Sequence, residues 1–351
     1  MKCLAQHLGK YVLDDELRLF YFDFKRNGIP FLSKSATQKT VRWIPGRAVQ
    51  TAWKTIGWPP YNWFAGHADL FHFTNFVRPP ISCGRSIVTI YDVSFLRFPE
   101  AAEPRNFAHL NHHIRETVRR TDAVFTISEF SRREIAELLP IPASRIHAIH
   151  PGLDNAIKQP SGEQVQTTRR ALQLNRPYLL FVGTIEPRKN IPFLVDVFDQ
   201  LDEFDGELIL AGMKGWKVEP ILQHIASAKR TGSIRYIDYV PEEHLSGLYA
   251  GAELFIFPSL YEGFGFPPLE AMACGTPVLS SSGGSLPEIL GDAAVILTNY
   301  EVASWVGTIH HMLHDTASRT DRVASGLRHV QRYTWDQAAK ATWDVYREVA
   351  G

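Results

Sequence analysis

Short apolar runs typical of β-strands alternate with helix-like segments along most of this chain. Because strands separated by helices pair in parallel, this alternation predicts an α/β fold, with doubly wound parallel sheets covered by helices on both faces. The helix-like segments include Arg105–Arg120, Ser131–Leu139, Ile191–Leu201 and Glu242–Tyr249. The strand-like runs are Leu17–Phe24, Ser86–Tyr91, Ala123–Ile127, Arg145–Ile149, Tyr178–Gly183, Glu207–Ala211, Ile234–Tyr236, Leu254–Pro258, Pro277–Ser280 and Ala294–Leu297.

The length predicts two domains, since 351 residues exceed what one hydrophobic core comfortably organises. The polar segment Pro151–Asn175 is typical of a linker between them. We therefore expect an N-terminal Rossmann-like domain over residues 1–153 and a C-terminal one over residues 154–330. Residues 331–351 form an amphipathic helix that we expect to pack back on the first domain.

The start of the chain departs from a doubly wound domain, which normally opens with a strand and a Gly-rich turn. Leu4, Leu8, Tyr11 and Val12 recur at helical spacing, so the chain opens with a helix. Either the fold is a variant, or the given start lies downstream of the natural one. We favour the second interpretation, in which the first strand of the N-terminal domain is missing.

Composition excludes several classes of protein. The 37 basic and 37 acidic residues cancel, which argues against a general nucleic-acid binder. No apolar run reaches the roughly 20 residues that a membrane span needs, and Met1–Tyr11 lacks the apolar core of a signal peptide. The 3 cysteines show neither metal spacing nor a disulfide framework, which predicts a cytoplasmic protein.

The segment Phe257–Gly275 contains the strongest functional motif. A strand is followed by a turn with Gly263, Phe264 and Gly265, and prolines then open a helix. Glycines let a backbone approach a ligand closely, and amides at a helix N-terminus favour phosphate. Carboxylates suit hydroxyl groups instead, and this segment has two of them, Glu262 and Glu270. The motif therefore predicts a ligand that carries both phosphate and polyol groups.

A second motif, Phe181–Ile191, follows the first strand of the second domain. Gly183 and Thr184 end that strand at its carboxyl edge, where ligands bind in open α/β sheets. Arg188 and Lys189 then place two cations at the start of a helix. Basic side chains are unfavourable at a helix N-terminus unless an anion lies nearby, so this pair indicates a phosphate site.

With these two motifs, the sequence resembles retaining glycosyltransferases of family 4, whose GT-B fold has two Rossmann-like domains facing a cleft. Glu262 and Glu270 match that family's paired glutamates, and Gly183–Lys189 matches its diphosphate loop. Further similar strings are Phe71–Phe76, Thr89–Leu96, Thr126–Ser131, His150–Asp154, Ala211–Trp216, Tyr239–Pro241 and Gly284–Glu288.

The resemblance implies a role for each matched residue. Arg188 and Lys189 would neutralise the donor diphosphate as it leaves, and Glu262 would hold the donor sugar together with the amides of Phe264 and Gly265. Glu270 would bind the ribose hydroxyls. Val240 would lie against the nucleotide base, and the other implied contacts to the donor come from Gly183, Thr184 and Gly263. The resemblance implies no metal ion and no cofactor other than a nucleotide-sugar co-substrate.

Two residues depart from the family pattern. Members often carry Arg where this chain has Thr184, so Arg188 would have to substitute. The first-domain loop often contains His-Asp, whereas this chain has Tyr91 and Asp92 on the acceptor side. The sequences of the diphosphate loop and of Gly212–Trp216 resemble those of bacterial mannosyltransferases of polysaccharide biosynthesis. This resemblance implies GDP-mannose as donor and a saccharide or lipid-linked saccharide as acceptor. A UDP-sugar transferase of the same fold and a non-catalytic binding protein remain alternatives.

Two weaker signals remain. Residues 25–68 contain seven Lys or Arg, interleaved with aromatic residues, and no Asp or Glu. Such a stretch is typical either of peripheral contact with the inner face of a membrane or of a solvated loop with aromatics in the core. His310, His311 and His314 allow an i, i+4 pair, as do His109 and His113, but a zinc site would also need a Cys or an acid at suitable spacing and a pocket. We interpret these residues as solvated histidines on surface helices.

Overall fold

The computed structural model describes residues 2–26, 36–101 and 104–351. The chain divides into two compact units. Unit 1 comprises Met1–Leu96, Pro104–Gly152 and Tyr333–Gly351, and unit 2 comprises Arg97–Glu103 and Leu153–Arg332. The division at residues 152/153 and 332/333 lies close to the expected boundaries. The assignment of the short stretch after Leu96 to unit 2 was not expected.

Unit 1 contains a sheet of four strands in the order β3-β4-β5-β6 and a separate pair, β1 and β2, all parallel. Its strands are β1 (Arg18–Phe22), β2 (Thr37–Val41), β3 (Leu70–Phe73), β4 (Arg85–Thr89), β5 (Ala123–Thr126) and β6 (Ile146–Ala148). Its helices before residue 153 are α1 (Lys2–Leu8), α2 (Gly46–Ile56), α3 (Asn62–Ala65), α4 (Ser94–Arg97), α5 (Pro104–Arg120) and α6 (Glu129–Leu138).

Unit 2 contains a parallel sheet of 6 strands in the order β12-β11-β10-β7-β8-β9. Its strands are β7 (Tyr178–Val182), β8 (Glu207–Ala211), β9 (Ile234–Ile237), β10 (Leu254–Phe257), β11 (Val278–Ser281) and β12 (Val295–Leu297). Its helices are α7 (Gly162–Ala171), α8 (Ile191–Phe198), α9 (Val218–Ser227), α10 (Glu242–Ala250), α11 (Phe266–Ala273), α12 (Leu286–Leu290), α13 (Val302–His314) and α14 (Thr316–His329).

The last helix, α15 (Trp335–Ala350), belongs to unit 1. It packs against α1, where Leu4, Leu8 and Ala339 form a buried apolar cluster. A polar link adds to this packing: the imidazole of His72 in β3 is hydrogen-bonded to the hydroxyl of Tyr346 at 2.5 Å and to that of Thr89 at 2.7 Å. The end of the chain therefore completes the core of the unit in which the chain begins.

The sheets confirm the predicted α/β class. The central strands of unit 2 are buried on both faces, and Tyr178, Leu179, Leu180 and Phe181 in β7 have no exposed surface. Burial on both faces explains why these strands are continuous apolar runs rather than alternating ones. Among the described residues, no helix is long and apolar enough to cross a bilayer.

The sequence interpretation missed strands β2 and β3 and helix α7, among other elements. Strand β2 is polar and β3 is only four residues long, so neither stands out as an apolar run. The predicted linker is wrong over α7, which begins at a capping box in which Ser161 Oγ accepts from the amide of Gln164 and the Gln164 side chain accepts from the amide of Ser161. This reciprocal pair satisfies the first amides of a polar helix.

Candidate active site

Strand order places the candidate site at the carboxyl edge of the unit 2 sheet. Strand β7 is the first of the unit, and it has β8 on one side and β10 on the other. The order of the sheet therefore reverses between β7 and β10, and ligands of doubly wound sheets bind outside the strand ends at such a point. The loops that leave β7 and β10 contain the two motifs identified in the sequence.

A buried charge cluster joins these two loops. Lys189 Nζ donates to Glu262 Oε1 at 2.6 Å, and Arg188 donates from Nη1 to Glu262 Oε2 at 2.8 Å. Lys189 and Glu262 are each only 7% exposed. Burial acts to raise the pKa of Glu262, but the charges of Lys189 and Arg188 outweigh it and lower that pKa below its ordinary value. Glu262 is thus held as a carboxylate.

Arg188 also connects the loops through other atoms. Its Nη1 donates to the carbonyl of Tyr261 at 2.6 Å and its Nη2 to Glu186 Oε1 at 2.7 Å, while its own carbonyl accepts from the amide of Leu260 at 2.9 Å. The guanidinium is therefore oriented by protein groups on both loops. The sequence predicted that Arg188, Lys189 and Glu262 act at one site, but it did not predict that they pair with one another.

A third loop, the one that follows β11, holds the backbone of Glu262 in place. No role was predicted for this loop from the sequence. Ser285 donates from its amide to the Glu262 carbonyl at 2.9 Å and from its hydroxyl to the Phe264 carbonyl at 2.8 Å. Gly284 has φ +68°, and a Cβ there would lie 2.3 Å from the Glu262 carbonyl oxygen. Only glycine allows this approach, so the Gly-Gly-Ser string after β11 is the signal that would have identified the support.

The backbone N–H groups near the start of α11 belong to the preceding loop and to the first helical residue. The helix begins at Phe266 with Gly265 as its N-cap residue and no side-chain cap. Because Pro267 and Pro268 follow, the next two positions have no N–H group. The donors that this end of the helix can offer are therefore those of residues 263–266. Phe264 itself is buried, at 3% exposure.

Glu270 lies one turn into α11 and has a partner of its own. The hydroxyl of Tyr249 in α10 donates to Glu270 Oε2 at 2.7 Å. Burial raises the pKa of Glu270, and the hydrogen bond from Tyr249 opposes that effect only in part. The two glutamates of the motif thus occupy different environments, one ion-paired and one held by a neutral donor.

The loops after β7 and β8 are in backbone contact. Gly212 has φ +145°, and a Cβ there would lie 2.2 Å from the carbonyl oxygen of Gly183. Gly183 in turn donates its amide to the Ala211 carbonyl at 2.9 Å. Thr184 follows and is exposed at this edge of the sheet. The close contact holds the predicted diphosphate loop against the neighbouring strand.

The loop after β9 adds an aromatic surface to the same edge. Val240 is half-buried, and its neighbour Tyr239 is 68% exposed. Beside them, the Tyr236 hydroxyl donates to Asp238 Oδ1 at 2.9 Å, and Lys214 Nζ lies 5.7 Å from the centre of the Tyr236 ring. The predicted base contact, Val240, therefore lies on the β8–β9 side of the switch point.

The two residues predicted for the acceptor side, Tyr91 and Asp92, lie in unit 1 just after β4, and both have local partners. The Tyr91 hydroxyl donates to the Thr74 carbonyl at 2.9 Å, and Asp92 Oδ1 accepts from the amide of Ser94 at 2.9 Å, where α4 begins. Burial raises the pKa of Tyr91. Asp92 therefore closes a short side-chain turn just before α4, and the Tyr91 hydroxyl links the loops that follow β3 and β4.

Comparison with known proteins identifies the family. Residues 164–328 match the family model described as glycosyl transferases group 1, and residues 42–156 match that of Glycosyltransferase Family 4. The O-antigen chain mannosyltransferase B of Escherichia coli is 34% identical over 282 residues, which cover 79% of this chain and 74% of that protein. The chain belongs to glycosyltransferase family 4. The resemblance inferred from the two motifs is therefore confirmed.

Other comparisons agree with this assignment. The serotype-specific mannosyltransferase WbdA of Escherichia coli is 31% identical over 238 residues, 65% of this glycosyltransferase but only 29% of WbdA. Among solved structures, sucrose-phosphate synthase from Thermosynechococcus elongatus is similar with a TM-score of 0.75 at 20% identity, covering 98% of this chain and 91% of that one. WaaG, a glycosyltransferase involved in lipopolysaccharide biosynthesis, gives a TM-score of 0.73 at 14% identity, covering 98% and 94%. The GT-B fold is confirmed.

Proposed function

We propose that this glycosyltransferase moves mannose from GDP-mannose, with retention of configuration, to a saccharide or lipid-linked saccharide acceptor. The observation that carries the proposal is the buried cluster of Lys189, Arg188 and Glu262 at the switch point of the unit 2 sheet. The choice of mannose is supported by the relatives above 30% identity, which are mannosyltransferases by name.

The donor diphosphate binds to Lys189 and Arg188 in this proposal. An ammonium group has three N–H donors, and within the described structure Lys189 uses one of them, toward Glu262. The others remain for phosphate oxygens. Charge that develops on the leaving diphosphate is then met by fixed cations in a buried site, where such interactions are strongest. Gly183 and Thr184 lie in the same loop as these two cations.

The sugar and the nucleoside occupy either side of the diphosphate. Glu262, as a carboxylate, accepts hydrogen bonds from the sugar hydroxyls, while the amides of Phe264 and Gly265 donate to them. One carboxylate oxygen of Glu270 accepts from the Tyr249 hydroxyl. In this proposal, the other accepts hydrogen bonds from the ribose hydroxyls. Val240 packs against the base.

Transfer then needs no protein nucleophile. The bond between the anomeric carbon and the diphosphate oxygen breaks, and the acceptor oxygen bonds to that carbon on the same face. The acceptor proton passes to the departing phosphate oxygen, so atoms and charge balance. We propose that side-chain cations make a metal ion unnecessary for this step, and transfer in the presence of EDTA tests that point.

Nucleotide binding is the first test. The thermal midpoint of the purified chain is measured in EDTA with GDP, UDP or ADP, because a ligand bound only by the folded state raises it. A rise with GDP alone supports GDP-mannose, and release of GDP from GDP-mannose then supports transfer. Lys189→Ala should weaken GDP binding more than tenfold, or by more than about 1.4 kcal/mol. Lys229→Ala, which removes an exposed lysine of the same unit, is the matched control.

Two other outcomes of this experiment correspond to the alternatives. The solved structure of HepE from Anabaena contains UDP and has a TM-score of 0.70 to this chain at 16% identity, so UDP remains the second candidate nucleotide. A rise with UDP but not GDP would replace the donor and keep the mechanism. Stabilisation by a nucleotide without transfer or donor hydrolysis would instead indicate a non-catalytic binding protein, which Tyr91 in place of the family histidine would fit.

We further propose that residues 25–68 of unit 1 contact the inner face of the cytoplasmic membrane, where a lipid-linked acceptor would lie. Residues 27–35 are outside the described part. In the remainder, Trp43 is 72% exposed, Ile56 69%, Trp63 65% and Trp58 51%. Phe64 of the same segment is buried, and Trp53 and Tyr61 are half-buried. Exposed indoles beside basic side chains and no acids favour an anionic lipid surface.

Vesicle flotation tests this contact. We expect the chain to float with vesicles of phosphatidylcholine and phosphatidylglycerol, but not with phosphatidylcholine alone, and to be released by salt. A double variant, Trp43→Ala with Trp63→Ala, should reduce the bound fraction several-fold, whereas Tyr239→Ala, an exposed aromatic of unit 2, should not. Equal binding by the double variant would argue that this surface is not the one in contact.

A further inference from the structure

A cluster of metal-ligating side chains lies on the outer surface of unit 2, separate from the candidate active site. Glu203, His310 and His314 each place one ligand atom within 4.8 Å of the other two. Within the part of the chain that the structure describes, they form the one group of this kind. Glu203 lies shortly before β8 begins, at the amino edge of the sheet, whereas the active site lies at the carboxyl edge.

The two histidines project from the same face of α13. They stand one helical turn apart, and their ring centres are 4.4 Å from each other. A pair of histidines at i and i+4 is a recurrent chelating arrangement for Zn²⁺. The helix that carries it is held firmly, because Trp305, Ile309 and Met312 are buried on its opposite side.

The third ligand comes from a different element. His310 Nε2 and Glu203 Oε2 are already in contact at 2.6 Å. The loop that carries Glu203 is fixed by Arg230, which donates to the carbonyls of Leu201 at 2.7 Å and Phe204 at 2.7 Å. The carboxylate is thus presented from a fixed backbone, and it lies 107 residues away from His310 in the sequence.

The geometry points to a divalent transition-metal ion, and we propose that these three residues bind Zn²⁺ or a similar ion. Ligand atoms about 2.0–2.2 Å from a tetrahedral Zn²⁺ lie roughly 3.4 Å from one another, so side-chain rotations alone would complete the site. Two imidazoles and one carboxylate leave the fourth position to water. Bound metal would tie α13 to the segment between α8 and β8.

Cobalt titration tests the proposal on the full chain, with any affinity tag removed and metal stripped by EDTA and gel filtration. Co²⁺ in a tetrahedral site absorbs visible light, and Zn²⁺ displaces it. We expect one equivalent of Co²⁺ to bind and Zn²⁺ to raise the thermal midpoint. His310→Ala and His314→Ala should each weaken binding by at least about tenfold, because even loss of an outer-sphere partner costs that much.

His311→Ala is the matched control. His311 lies next to His310 on the same helix, is exposed, and pairs with Asp315 at 3.7 Å rather than with the cluster. This variant should bind Co²⁺ as the unaltered chain does, and all variants should share one thermal midpoint in EDTA. If the Zn²⁺-induced rise is absent, or persists in both His310→Ala and His314→Ala, the proposal is wrong. Neither result depends on transferase activity.

Discussion

The carboxyl edges of the two main sheets use their polar residues differently. In unit 2, side chains from separate loops converge on one buried carboxylate, Glu262, and its two cations. In unit 1, Tyr91 and Asp92 at the end of β4 make only local hydrogen bonds to a loop carbonyl and a helix amide. The polar groups at the unit 2 edge are therefore paired with one another across separate loops, whereas Tyr91 and Asp92 pair with nearby backbone groups of their own unit.

The largest effect should follow from Glu262→Ala. Removal of this carboxylate takes away the ion-pair partner of the buried Lys189 ammonium and one of the carboxylates that pair with Arg188, which costs about 3–5 kcal/mol of unfolding free energy. Donor turnover should fall by at least about a hundredfold, as for loss of a preorganised polar group in an active site. Urea unfolding and GDP release measure the two effects. Unchanged turnover in a folded variant would remove Glu262 from its proposed role.

The second prediction concerns pH and separates the units. Burial lowers the pKa of His72 in unit 1 to about 3, so the unfolded chain binds a proton there at higher pH than the folded chain does. Stability of unit 1 should therefore fall by up to about 1.4 kcal/mol per pH unit as pH drops from about 6.5 toward 3. The lowered pKa of Glu262 gives stability that is lost only below about pH 4.5, so unit 2 should keep its stability between about pH 6.5 and 4.5, where unit 1 already loses some.

Hydrogen exchange at several pH values measures this difference, with peptides from β3 and β10 reporting on the two units. Loss of protection should begin in β3 first. A His72→Gln variant should remove the early loss, and His224→Gln, which changes a more exposed histidine of unit 2, should leave it in place. Simultaneous loss in both strands of the unaltered chain would contradict the prediction.

A smaller effect is expected from Gly284→Ala. The new Cβ would meet the Glu262 carbonyl oxygen at 2.3 Å on a backbone with φ +68°, so the loop after β11 must shift. Such strain costs about 1–3 kcal/mol, and GDP binding should weaken with it. Gly232→Ala is the control, since nothing lies within 4 Å of its added Cβ. Equal thermal midpoints for the two variants would show that a Cβ at position 284 does not clash with the Glu262 carbonyl oxygen.

The smallest effect should come from Tyr91→Phe in unit 1. This change removes the hydrogen bond to the Thr74 carbonyl and should cost about 1 kcal/mol of stability. GDP affinity should stay the same, because the proposed donor site is in unit 2. A tenfold change in GDP affinity, measured by calorimetry, would instead make Tyr91 part of the donor site and remove the contrast between the two sheet edges.

Much of unit 2 could be predicted from sequence, and less of unit 1. Strands such as β7 and β10 are buried on both faces, so their apolar runs are conspicuous. Strand β2 is polar, and α7 is polar as well. The identities of the site residues followed from motifs, but their pairing did not, because pairing depends on which strands become neighbours. Ser285 and Tyr249 were missed for the same reason, since they reach the site from other loops and helices.

The position of α15 has a consequence for synthesis on the ribosome. Leu4 and Leu8 are buried against Ala339, and His72 is bonded to Tyr346. All residues of unit 2 leave the ribosome before this helix does, so unit 2 can fold while unit 1 still lacks its last layer. Unit 1, whose synthesis begins first, is therefore completed after unit 2. Until α15 has been synthesised, the apolar face of α1 lacks its contact with Ala339.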